Sequence, residues 1–63
     1  MNEQPRQLKV YRVRVGHVEL RVRAHDVEEA ITLARRKLSQ EMPRLYDVIR
    51  SLSTTRFEVD HAA

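Results

Sequence analysis

Four arginines stand at alternate positions around a Gly-His pair in the stretch YRVRVGHVELRVR: Arg12 and Arg14 before it, Arg21 and Arg23 after it. A guanidinium is a planar fork of N–H donors that matches a carboxylate or a phosphate, so these four are the candidate partner-binding residues. Ten of the twelve basic residues are arginine, with only Lys9 and Lys37 as lysines; a base-composition bias in the coding sequence produces the same excess. The groups that other chemistries need are missing. The chain has no cysteine, hence no thiolate nucleophile, no disulfide and no Cys-based zinc site. His17 falls in a turn, His25 ahead of a helix and His61 near the end, so no two share a metal-ligand spacing and each reads as a solvated residue. Asp60 and His61 are neighbours, and neighbouring side chains on a strand point to opposite faces. Ser39, Ser51, Ser53, Thr54 and Thr55 sit in no nucleophile motif, and the single glycine excludes a phosphate-cradling loop. No catalytic, metal or cofactor residue is therefore expected, and the expectation is a protein that is not an enzyme.

The elements that position the arginines follow from periodicity. From Leu8 to Ala24 the period is two, and Gly16-His17 fits a two-residue hairpin loop in which glycine at the first central position favours a type II′ turn. That loop predicts the pairs Val15 with Val18, Val13 with Leu20 and Tyr11 with Val22, which puts all six apolar residues on one face. On the other face Arg14 opposes Glu19, Arg12 opposes Arg21 and Val10 opposes Arg23. A slip of one residue would mix the two faces, so turn and pattern specify the same hairpin independently.

HDVEEAITLARRKLSQE then changes to helical spacing, with Asp26 as N-cap and Glu29 completing a capping-box pattern. Val27, Ala30, Ile31, Ala34 and Leu38 form the apolar stripe, with Leu33 at its flank. Glu28 and Glu29 come early and Arg35, Arg36 and Lys37 late, an order that complements the helix dipole. Pro43 suits the first position of a second helix, and Leu45, Val48, Ile49 and Leu52 at helical spacing predict a short one over residues 43–52. Tyr46 is expected at the core edge, and Met42 as a filler between the helices. Thr55 to Asp60 alternates again and points Phe57 and Val59 inward as a third strand.

The predicted fold is α+β, a two-layer β-β-α-α-β domain: a three-stranded antiparallel sheet in the order 2-1-3, with the helices packed on one face. Residues 1–7, which include Pro5, are expected to be disordered, 8–60 to form the single domain and 61–63 to be a frayed tail. At 63 residues a chain is near the lower limit for building a core unaided, which makes self-association a reasonable source of added stability. The sequence lacks both a signal-like apolar stretch and a run long enough to span a bilayer, so a cytoplasmic protein with no membrane partner is expected.

On this fold the open sheet face carries Arg12, Arg14, Arg21, Arg23 and Arg56 among Glu19, Glu58 and Asp60, a residual charge of +2. With the third strand beside the first, the two acids Glu58 and Asp60 can approach the pair Arg12 and Arg14, each exposed cross-strand pair contributing about 0.2–1 kcal/mol, and leave a basic strip at Arg21 and Arg23. Sheet-face RNA binding needs outward aromatics for stacking, and Tyr11 and Phe57 are both predicted inward.

The stretch VELRVRAHDVEEAITLARR, followed by PRLYDVIRSL, resembles the ribbon-helix-helix family over residues 18 to 52: a strand with alternating Arg21 and Arg23, then two helices. The resemblance implies DNA binding in which Glu19, Arg21 and Arg23 read base edges from a strand pair in the major groove. The chain departs from the pattern in three places. A preceding strand takes the edge where the family's dimer partner pairs, the first helix is long, and the turn between helices lacks the small residues of the family. The reading preferred here is a non-catalytic protein–protein interaction or self-assembly module. Its partner would be a second copy of the chain or an acidic protein, with nucleic acid through the basic strip as the alternative.

Overall fold

The computed structural model describes residues 7–62. In chain order they form β1 (Lys9–Val15), β2 (Val18–Ala24), α1 (Val27–Glu41), α2 (Tyr46–Ser51) and β3 (Glu58–His61), with single 3₁₀ turns at Pro43–Leu45 and Thr54–Arg56. The sheet is antiparallel throughout in the order β2-β1-β3, with both helices packed against it, an α+β fold as predicted. Of residues 1–7, expected to be disordered, 1–6 lie outside the described residues, as does Ala63, and Gln7 is exposed ahead of the first strand.

The hairpin register is the predicted one, from Val15↔Val18 to Lys9↔Ala24. Gly16 has φ 62° and His17 does not have a positive φ, which is the signature of a type II′ turn rather than type I′. Nothing lies within 4 Å of where a Gly16 Cβ would sit, so glycine is required here by backbone conformation alone, at a cost to any other residue of about 1–2 kcal/mol. Tyr11, Val13 and Val22 are buried, and Val15, Val18 and Leu20 pack half-buried against them. All six share the face covered by α1, which lies chiefly over β2 and β1. Ala30 and Ala34, both fully buried, let the helix backbone approach the sheet, and Leu38 extends the contact.

Several expectations are corrected by the packing. Val27 is exposed rather than inward, because it opens the helix at the rim of the sheet. α1 runs on to Glu41, so Arg35, Arg36 and Lys37 fall before its last turn, which holds no basic residue, and the dipole does not account for them. Pro43 disfavours α geometry at the residue before it, and Met42 ends the helix at φ −130°, ψ 70°. Proline then opens a 3₁₀ turn, and α2 is only six residues long. Of its predicted stripe, Ile49 is buried and Leu52 half-buried, while Leu45, Val48 and Tyr46 face outward. The chain reaches the third strand through the second 3₁₀ turn, so Thr55 and Arg56 are not in β3. Strand β3 runs instead to His61, opposite Tyr11, and the Ala62 N–H donates to the Val10 carbonyl at 2.9 Å; the tail pairs one residue further than expected.

A helix of six residues is too short to be stable by its own hydrogen bonds. What holds α2 is Arg35 of α1. Its Nη1 donates to the carbonyls of Ile49 at 2.7 Å, Leu52 at 2.9 Å and Arg50 at 3.3 Å, at the C-terminal end of α2, where Ile49 also accepts from the Leu52 N–H at 3.3 Å, while its guanidinium lies 4.9 Å from the centre of the Phe57 ring. One half-buried cation thus joins α1, the end of α2 and the entry to β3. Arg35→Met, which keeps the stem and removes the donors, is expected to lower unfolding free energy in urea by about 2–4 kcal/mol by stranding part-buried carbonyls. Arg35→Lys is expected to recover part of that. A loss below about 0.5 kcal/mol for the Met variant would show that the tie does not hold the helix.

Candidate functional site: the open sheet face and its β2 edge

The face of the sheet away from the helices forms three cross-strand rows. Glu58, Arg14 and Glu19 make the row nearest the turn; Asp60, Arg12 and Arg21 make the middle row; Val10 and Arg23 lie in the third, where Ala62 joins from the β3 side. Arg12 Nη2 donates to Asp60 at 3.4 Å, and Arg14 Nη2 to Glu58 at 3.4 Å. Both pairs are exposed, so each contributes about 0.2–1 kcal/mol. Their larger effect is on distribution. Arg12 is drawn toward β3, away from the like charge of Arg21, and the acids of β3 are used up on β1.

Of the four candidate residues, the structure therefore separates Arg12 and Arg14, which are paired, from Arg21 and Arg23, which are exposed and have no carboxylate within 4 Å among the described residues. Arg56, expected on this face, sits in the second 3₁₀ turn at the other side of the molecule, beside Leu45 and Val48. The face then carries four arginines against three acids, a net +1 rather than +2. Next to Arg23 it is apolar: Val10 is 39% exposed and Leu8, just ahead of β1, 55%.

The β2 edge has a definite backbone pattern. In a two-residue hairpin the residues flanking the turn form a hydrogen-bonded pair, and pairs of this kind recur at every second residue. Val18, Leu20 and Val22 therefore direct their N–H and C=O groups to β1, and Glu19, Arg21 and Arg23 direct theirs outward. The same alternation on β1 sends Val10 toward β3, where its carbonyl accepts from Ala62. The charged residues of β2 thus also own its free backbone donors and acceptors.

The three histidines are not brought together, and no group of three His, Cys, Asp or Glu residues that could hold a metal ion occurs among the described residues. His61 stacks beside Tyr11 with ring centres 5.1 Å apart. His25 is not merely solvated. Asp26 caps α1 as predicted, accepting from the Glu29 N–H at 2.8 Å, but Glu29 reaches one residue past the cap and accepts from the His25 N–H at 2.7 Å and from its Nδ1 at 2.8 Å. The capping box is displaced by one position. No helix among the described residues is long and apolar enough to cross a membrane. No protein-family model matches the chain, and comparison with curated proteins and with solved structures gives no significant match.

The His25 backbone N–H, followed by the His25 ring, holds the Glu29 carboxyl below its ordinary value of 4.5. A depressed carboxyl pKa gives stability that is present above the unfolded value and is lost as pH falls through the lower folded value. Urea midpoints measured at about pH 5 and about pH 3 are therefore expected to fall less for Glu29→Gln than for the wild type. Equal falls would show that the displaced box makes no contribution.

Proposed function

We propose that the chain is a non-catalytic self-assembly module whose free β2 edge pairs with the β2 edge of a second copy. The observation that carries this reading is the order of charge on the outward-bonding residues, Glu19, Arg21 and Arg23. Two such edges joined antiparallel about a twofold axis can align in only a few registers. Centred on Arg21, the pairing opposes two arginines at the axis, with Glu19 opposite Arg23 on either side. Centred on Val22 it opposes Arg21 to Arg23 twice, and centred on Glu19 it opposes Glu19 to Glu19. Centred on Leu20, it places Glu19 of each copy opposite Arg21 of the other and Arg23 opposite His17, with no fixed like charges facing. Opposite charges directly across a strand pair contribute about 0.2–1 kcal/mol each, and like charges cost similar amounts.

The same register aligns the apolar side of β2 with itself. Leu20 meets Leu20, and Val18 meets Val22 across the axis. Val18 and Leu20 are only half-buried in one copy, so a continuous six-stranded sheet covers apolar surface as well as satisfying the edge backbone. A small domain near the size limit for independent folding gains stability from such an arrangement. Duplex DNA is the less favoured occupant of Arg21 and Arg23. A six-stranded sheet is roughly 25 Å wide, against a major groove of about 12 Å.

Sedimentation across micromolar to about millimolar concentrations, where association weaker than about −4 kcal/mol escapes notice, tests the pairing. The wild type is expected to form a dimer that Glu19→Arg weakens at least ~10-fold, and the exchange of both charges, Glu19→Arg with Arg21→Glu, is expected to restore it. A wild type that stays monomeric throughout overturns the proposal. So does a dimer unaffected by Glu19→Arg, or one that the charge exchange leaves broken.

A further inference from the structure

On the opposite side of the molecule, a cleft of ≈ 370 Å³ lies between α1 and α2, within the size range of small-ligand sites. Three guanidinium groups line it, those of Arg35, Arg36 and Arg50, together with the ring of Tyr46. None of the three has a carboxylate within 4 Å among the described residues. Glu28 lines the adjoining hollow with Arg35 and does not pair with it. The contrast with the sheet is direct: there Arg12 and Arg14 are each given an acid from β3, and here three cations share one concavity without any.

Two of these cations are held in place by neutral groups. Arg35 is fixed by the carbonyls at the end of α2, and Arg50 Nη1 donates to the Tyr46 Oη at 3.2 Å with its guanidinium 5.7 Å from that ring's centre. Arg36 is exposed on α1 at the lip. Thr32 and Ser39 spend their hydroxyl protons on the Glu28 and Arg35 carbonyls. The donors left for a ligand are the N–H groups of Arg36, Arg50 and the Gln40 amide and the O–H of Tyr46, whose oxygen accepts from Arg50. Three cations without carboxylates and this excess of donors favour a ligand rich in acceptors that brings more than one negative charge. A phosphate monoester has both properties, and planar guanidinium forks match its oxygens.

We propose that this cleft binds the dianionic head of a phosphate monoester, with Arg36 and Arg50 donating to its oxygens and Arg35 as a fixed charge behind them. The exposed ring of Tyr46 offers a face on which a base attached to that phosphate stacks. The site is independent of the β2 edge, and each can fail without the other.

The test is a titration of the full chain with inorganic phosphate, with AMP and, at matched ionic strength, with sodium acetate, read from the arginine Nε and backbone amide resonances. Phosphate and AMP are expected to give saturable shifts at Arg36, Arg50 and Gln40, with dissociation constants of about 0.1–1 mM. The double variant Arg36→Gln, Arg50→Gln is expected to weaken binding at least ~10-fold, while Arg21→Gln, Arg23→Gln leaves it unchanged. Tighter binding of AMP than of phosphate would identify a nucleotide as the source of the head group, and equal binding the free ion; both support the site. Shifts that fail to saturate by about 10 mM, that acetate reproduces, or that survive the Arg36, Arg50 double variant overturn it.

Discussion

The arrangement of this molecule depends on the backbone at Gly16, which at φ 62° reverses the chain in two residues and so fixes the parity of both strands that leave it. Because side chains alternate with period two, parity decides everything carried on the hairpin. It sends six apolar side chains under α1 and four guanidinium groups to the open face. It also decides which backbone groups point where. On β1 the outward set receives β3, which delivers Asp60 and Glu58 to Arg12 and Arg14. On β2 the outward set belongs to Glu19, Arg21 and Arg23 and, among the described residues, has no strand beside it. The sheet is therefore electrically finished on one side and unfinished on the other.

A second constraint holds the half of the fold that the sheet does not. α2 is short, and with the turn before it exposes Leu45, Tyr46 and Val48. Its attachment to the core is Ile49, Leu52 and the Arg35 guanidinium that closes its carbonyl end. Hydrogen bonds from a charged donor to part-buried carbonyls are stronger than neutral ones, and a missing partner there costs more than the bond itself contributes. By holding α2 against α1 in this way, Arg35 also shapes the cleft between them and leaves Arg36 and Arg50 at its mouth.

Local patterning made the hairpin, its register and the Asp26 cap legible in the sequence, because each is encoded by residues close together in the chain. The sheet order and the approach of the β3 acids to Arg12 and Arg14 also followed, since alternation in β3 leaves its acids on one face; which acid meets which arginine is set by the β1–β3 register. The parts that did not follow depend on distant partners. Nothing near Arg35 in sequence shows that its guanidinium meets the end of another helix, and the run Arg35-Arg36-Lys37 read instead as a dipole complement at a helix end that in fact lies beyond it. Val27, Leu45 and Val48 have the spacing of core residues, but Val27 opens α1 at the rim of the sheet and the six-residue α2, with the turn before it, has room to bury only one side. Arg56 has the alternation of a strand residue and is diverted by a 3₁₀ turn. Of the candidate site, the four arginines were legible as a surface, and so was their division into a half met by acids and a basic strip at Arg21 and Arg23; the diversion of Arg56 away from that face was not. The helix cleft gave a signal only as an unexplained excess of arginine.

Amide hydrogen exchange along β2, followed as a function of protein concentration, tests the parity of this strand and its free edge together. The account predicts slow exchange at Leu20 and Val22 at every concentration, with Glu19 and Arg21 fast in dilute solution and slowing as the protein is concentrated. Protection of Glu19 and Arg21 in dilute solution with Leu20 and Val22 fast would contradict it, because the strand would then be turned over and the surface described here would be its buried side.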